Sequence, residues 1–231
     1  MKIDIKGPIV SNDDLWIYEW FEIDATSPGM VHDALKKANG SDVEVHINSG
    51  GGSVFDGSEI YTALKDYEGN VTVKIVGLAA SAASVIAMAG DKVLMSPTSQ
   101  MMIHNASVLA AGDYRDMEHT AEVLKNVNKT IANAYRIKSG LSDEELLELM
   151  NKETWFTPQQ ALEKGLIDEI MFDQNYQLVA SFNSGVLPRE VIEKVKNAKM
   201  NELLNKSSSN EDDFLFKNNL RKRKLNLLEV E

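Results

Sequence analysis

Short apolar or alternating runs recur through residues 1–172, separated by longer stretches in which apolar positions return every three or four residues. The first spacing suits strands and the second helices; their alternation marks βαβ units feeding a mostly parallel sheet. Residues 2–10 read as a first strand or pair of strands, and residues 16–23 as another. Ser27 offers an N-cap with Pro28 at the first helical position, which predicts a helix running to Asn39 and closed by Gly40. Residues 43–48 (VEVHIN) form the next predicted strand, and a turn at Gly50, Gly51 and Gly52 leads into a helix over 54–67. Residues 71–76 (VTVKIV) read as a strand again, and the small residues of 77–90 predict a turn followed by a tightly packed helix. Short strands are expected at 92–95 and 101–104, around a turn at Pro97.

The second half is more helical. Residues 113–138 predict one long helix with polar faces. A capping box at Ser142 and Glu145 opens a shorter helix, and another at Thr157 and Gln160, with Pro158, opens a helix that Gly165 ends. A last strand is expected over 166–172. No fixed-period repeat is visible. Past Ser184 the character changes to a potential amphipathic helix at 188–206, a polar linker at 207–213 and the basic cluster RKRK at 221–224. The expected organisation is therefore an α/β domain over 1–182 and a C-terminal extension over 183–231.

With 231 residues there is room for one sizeable domain and an appendage. A net charge of -11 argues against nucleic acid as a partner, because phosphate neutralisation needs a concentrated basic face. Cysteine is absent, which excludes disulfides, thiolate metal sites and a cysteine nucleophile. No apolar run approaches the ~20 residues of a membrane span and the N-terminus lacks a signal-peptide core, so a cytoplasmic protein is expected.

The run GLAASAAS at 77–84 places Ser81 between a strand and a helix start, where a hydroxyl can sit beside unpaired backbone N–H groups. Small neighbours would let a peptide approach closely, although the same run also suits a helix packed tightly against another. A serine nucleophile needs a base near neutral pH, and imidazole, with an ordinary pKa near 6.5, is the usual one. Of the four histidines, His32 and His119 fall on polar helix faces and His46 lies within a strand. His104 ends a short apolar strand, from which it could project into a cleft. The glycine turn at 50–52 has neither the GK[ST] of a P-loop nor GxGxxG spacing, so nucleotide binding has little support. Gly52 and Ala82 suit a different use, as paired backbone N–H donors to a developing oxyanion.

Four ordered blocks carry a resemblance to a known family. HINSGGGSVFDGSEIY is similar to the ClpP block with its INSPGG core, GLAASAAS to the nucleophile segment GQAASMGA, and MMIHNAS to the histidine segment VMIH. ETWFTPQQALEKGLIDEI is similar to the stretch in which the family places its third catalytic residue. The resemblance implies a serine peptidase with Ser81 as nucleophile, His104 as base, and oxyanion donors at Gly52 and Ala82 beside Gly51. The position matching the family's aspartate is Glu153, one methylene longer; Asp168 is a fallback.

The family further implies a ClpP/crotonase-like βαβ superhelix with residues 113–138 as the handle helix. It also implies assembly into heptameric or stacked rings, polypeptide substrates, no cofactor, and an ATP-driven unfoldase as partner. The leading residues 1–15 do not align with the pore-lining segment of ClpP, and with the tail they look more like phage- or prophage-encoded relatives that process capsid or portal proteins. Two rival expectations are a crotonase-like acyl-CoA enzyme, which needs no serine–histidine pair, and a non-catalytic ring scaffold.

Overall fold

Strand β2 (Val43–Gly52) lies between β1 (Lys2–Ile9) and β3 (Val71–Ala80), all parallel. The computed structural model describes residues 1–173. The expected domain boundary at 182/183 and the C-terminal extension lie outside these residues.

Alternation decides which face of the sheet is core. Ile3 and Ile5, Val45 and Ile47, and Val73 and Ile75 point inward and are buried. Their neighbours Asp4, Glu44 and Lys74 point outward, where Lys74 lies 2.8 Å from Glu44. A parallel sheet is usually covered on both faces; here the polar alternation leaves one face of β1–β3 to solvent. Replacing Ile75, completely buried in β3, by alanine is expected to cost about 2–5 kcal/mol of stability, the range for large-to-small core truncations. Denaturant unfolding measures it.

Among the described residues seven strands make one sheet, five of them in the order β1-β2-β3-β4-β7, with β4 at Lys92–Met95 and β7 at Glu169–Ile170. Strand β3 is long enough to have two neighbours in turn. Its first half pairs with β4 (Thr72 with Lys92), and its second half pairs with β5 (Gln100–Ile103), with Ala80 opposite Met102. Residues 77–80, expected as a turn, thus continue the strand. A short antiparallel β6 (Thr154–Phe156), not foreseen in the sequence, borders β5.

Helix α1 (Leu15–Trp20) occupies a segment expected as a strand. The aromatic residues there favour a strand only where a partner strand is present, and the sole bridge in this region pairs Ile9 with Thr26. Without such a partner the segment closes its hydrogen bonds locally, leaving Trp16, Trp20 and Phe21 exposed. Helix α2 (Pro28–Ala38) begins where expected, but the Ser27 side chain does not cap it. Asn12 Oδ1 accepts instead from the Gly29 N–H at 2.7 Å, a cap delivered from a distant loop. Helix α3 (Val54–Lys65) follows the glycine turn, and α4 (Ala82–Ala87), buried at every position, packs on β2 and β3.

The long helix α5 (Tyr114–Ser139) opens with a capping box at Asp113 and Asp116. Arg115 beside Asp113 holds that carboxyl below its ordinary range. Only its C-terminal part enters the core, through Ile131, Ala132, Ala134 and Tyr135. Lys138 pins that end, reaching Asp168 at 2.6 Å, while Asp168 also accepts from the Val93 N–H at 2.6 Å. Helices α6 (Asp143–Asn151) and α7 (Pro158–Glu163) carry their predicted serine and threonine caps. Among the described residues no helix is long and apolar enough to cross a membrane.

Candidate active site

Parallel strands β3 and β5 end side by side, and each is followed at once by a polar residue that could do chemistry. The Ser81 N–H donates to the Met102 carbonyl at 3.0 Å, one last rung of the ladder. The chain then turns sharply: Ser81 has φ 54 and ψ −127, a conformation that costs a non-glycine residue about 1–3 kcal/mol and persists only where its surroundings impose it. That turn lifts the hydroxyl away from the sheet and starts α4. His104 leaves β5 two residues beyond Met102, and its Nε2 stands 2.8 Å from Ser81 Oγ. With Nε2 unprotonated, the serine O–H donates to the imidazole, the arrangement from which a general base withdraws a proton.

The other histidines are elsewhere. His46 lies on the outer sheet face 3.3 Å from Glu44, His32 stands 3.4 Å from Glu59, and His119 is exposed on α5. Register separates these four residues where composition could not.

The glycine turn closes against the serine. A side chain at Gly51 would have its Cβ 2.7 Å from Ser81 Cβ and 2.9 Å from the Ala82 nitrogen. One at Gly52 would have its Cβ 2.2 Å from the Ile9 carbonyl oxygen. Both have left-handed backbones, with φ 93 and 151, so the close approach and the conformation each require glycine. Ser53, not Gly52, donates to the Ile9 carbonyl at 2.9 Å. The donor on that carbonyl is therefore the residue after Gly52, which leaves the Gly52 N–H out of this bond. A narrow cleft beside Ser81 is lined by Val54, Ala82, Val85, Ala106, Ile131 and Tyr135, an apolar wall with His104 at its rim.

The carboxylate expected as third partner is not joined to the imidazole. Glu153 is exposed in the turn after α6 with φ 49, and no hydrogen bond or ion pair among the described residues links it to His104. The β5–β6 ladder nevertheless ends at the pair Ile103 and Thr154, and His104 follows the one residue in the chain while Glu153 precedes the other. Asp168, the fallback, is taken by Lys138 and the Val93 N–H. Two residues not singled out from the sequence meet beside the serine turn: Ser84 and Tyr135, whose hydroxyls lie 2.7 Å apart. Their signal was a stripe at helical spacing, Val127, Ile131 and Tyr135, which directs one face of α5 at the small-residue helix.

The family model for Clp protease matches residues 30–174, a span that contains the serine, the histidine and the glycine turn. The chain belongs to the Clp protease family. This Clp-family chain is similar to the ATP-dependent Clp protease proteolytic subunit of Bacteroides fragilis, at 36% identity over 134 residues that cover 57% of the chain and 65% of that protein. It is similar to the subunit of the same name from Deinococcus radiodurans, at 33% over 132 residues, 56% of the chain and 65% of the relative. The ATP-dependent Clp protease proteolytic subunit 1 of Chlamydia abortus is 34% identical over 155 residues, 62% of the chain and 80% of that subunit. The chain thus spans just under two thirds of the length of the first two relatives.

Proposed function

We propose that this Clp-family chain is a serine endopeptidase that cleaves peptide bonds through an acyl-enzyme on Ser81. The observation that carries the reading is the 2.8 Å contact between Ser81 Oγ and His104 Nε2, formed at the mouth of an apolar cleft. In the forward step His104 Nε2 takes the hydroxyl proton as Oγ adds to the substrate carbonyl. The negative oxygen that results is received by the Ala82 and Gly52 N–H groups. Collapse of the adduct expels the amine, which takes the proton back from His104 and leaves the acyl group on Ser81. Water then repeats the cycle: His104 accepts its proton, the hydroxide adds to the ester, and Ser81 leaves reprotonated.

Glu153 precedes the last pair of the β5–β6 ladder, which His104 follows, and we assign it a minor orienting role, because the serine–histidine contact stands without it. Where a carboxylate grips the histidine in a triad, amidation lowers kcat by about 10⁴. Glu153→Gln is expected to lower kcat by only about tenfold, read from steady-state hydrolysis of a fluorogenic peptide. A loss near 10⁴ would show that the carboxylate does hold the imidazole during turnover.

The relatives' names, proteolytic subunits of an ATP-dependent protease, favour work as one subunit of an ATP-dependent proteolytic assembly over capsid processing; an ATP-driven unfoldase as partner and a ring of subunits belong to the reading we propose. Fluorophosphonate labelling tests the chemistry. Labelling that disappears in Ser81→Ala and in His104→Ala is expected; a labelled Ser81→Ala chain would end the reading, and an unreactive assembled ring would favour a scaffold.

A further inference from the structure

Behind the serine lies a chain of three oxygen atoms. Ser84 Oγ donates to the Ser81 carbonyl at 2.6 Å and stands 2.7 Å from the Tyr135 hydroxyl. A serine hydroxyl has one proton, and the carbonyl oxygen can only accept. The proton of Ser84 is therefore committed to Ser81, and Tyr135 must be the donor to Ser84. The relay runs one way: Tyr135 O–H to Ser84 Oγ, Ser84 O–H to the Ser81 carbonyl. Both ends are dry, with Ser84 wholly buried and Tyr135 1% exposed. Burial pushes the Tyr135 phenol well above its ordinary value, so it remains a neutral donor throughout the working pH range.

The Ser81 carbonyl belongs to the same peptide unit as the Ala82 N–H. In a trans peptide these two groups point in opposite directions, and the structure holds no cis bond among the described residues. The carbonyl is drawn into the first turn of α4 by three donors: Ser84 Oγ, the Ser84 N–H at 2.9 Å and the Val85 N–H at 3.3 Å. The Ala82 N–H must then face away from that turn. Donors on a carbonyl also polarise its amide, which makes the N–H of that unit a stronger donor. Helix α4 has only six residues, and the Ser84 side chain adds a third donor to the two backbone N–H groups on this carbonyl.

From this geometry we infer that Ser84 and Tyr135 are positioning residues that orient and strengthen the Ala82 N–H as the oxyanion donor, with Tyr135 bringing that control from the long helix α5. The inference rests on the proposed role of Ser81, and it adds that the strained backbone at φ 54 is held from behind by a side-chain relay rather than by the helix alone.

Removing an oxyanion donor lowers kcat by about 10²–10³, so a donor kept but loosened should cost about tenfold. The full-length Tyr135→Phe chain, isosteric apart from the hydroxyl, is expected to lose about tenfold in kcat per titrated site. Its affinity for a peptide boronate, whose tetrahedral adduct occupies the oxyanion position, should fall by the same factor. Ser84→Ala should do at least as much, and the double variant should be no worse than Ser84→Ala, because both changes cut one relay. Rates are normalised by fluorophosphonate titration of active sites, so a fraction of unfolded protein does not enter. A merely structural tyrosine would lower the melting temperature without moving kcat per titrated site or boronate affinity, and that result would overturn the inference. Losses that multiply in the double variant would overturn it too. If Ser81→Ala itself still turns over peptide, the peptidase reading has failed, an outcome separate from a dead Ser81→Ala beside a fully active Tyr135→Phe.

Discussion

Ser81→Ala is expected to abolish peptide hydrolysis, with kcat falling by about 10⁶, as for triads that lose their nucleophile. The fold should survive, because the Ser81 hydroxyl makes its contact with His104 at the edge of a cleft and the backbone bonds that shape the turn remain. His104→Ala should cost about as much, and combining the two should add almost nothing, since nucleophile and base act as one unit. The measurement is single-turnover hydrolysis beside circular dichroism. Residual activity within tenfold of the parent chain in either variant would remove the mechanism.

Gly51→Ala is the second large effect. The new Cβ would meet the Ala80 carbonyl oxygen and Ser81 Cβ, each at 2.7 Å, and the Ala82 nitrogen at 2.9 Å. These are backbone atoms or lie next to backbone, so they cannot rotate aside. The residue would also have to hold φ 93, where an L side chain is strained by about 1–3 kcal/mol. The turn carrying Ser81 must shift, taking the Ala82 N–H with it, and kcat should fall by about 10²–10³, the cost of a lost oxyanion donor. Gly50→Ala is the control. A Cβ there meets nothing within 4 Å, so activity should stay within about twofold of the parent chain, the scale of a neutral surface change. Equal kcat values for the two variants would show that the glycine turn does not support the serine.

The meeting of Ser81 and His104 was legible because its signals are local. A small-residue run after a strand, a glycine turn after another, and a histidine at a strand end each follow from short-range sterics and can be read in a few neighbouring letters. Where reading failed, the reasons were long-range. Residues 16–23 carry strand-forming aromatics, but with no partner strand they became α1. The three-residue β6 is too short to show a period, and it exists because β5 offers an open edge. Ser84 reads as one more small residue and Tyr135 as one aromatic in a polar helix, until packing puts their hydroxyls 2.7 Å apart.

Sequence alone pointed to Ser81 as candidate nucleophile, to His104 among four histidines as its candidate base, and to the glycine turn at 50–52 as the oxyanion side. Tertiary structure brought His104 within 2.8 Å of Ser81, through the parallel register that sets Ala80 opposite Met102 and ends both strands together. It also left Glu153 in the turn before β6 without a bond to the imidazole, and committed Asp168 to Lys138 instead. The physical reason is range. Backbone preference acts over a few residues and leaves its trace in their order, whereas strand register and helix docking come from burying apolar surface contributed by segments far apart in the chain.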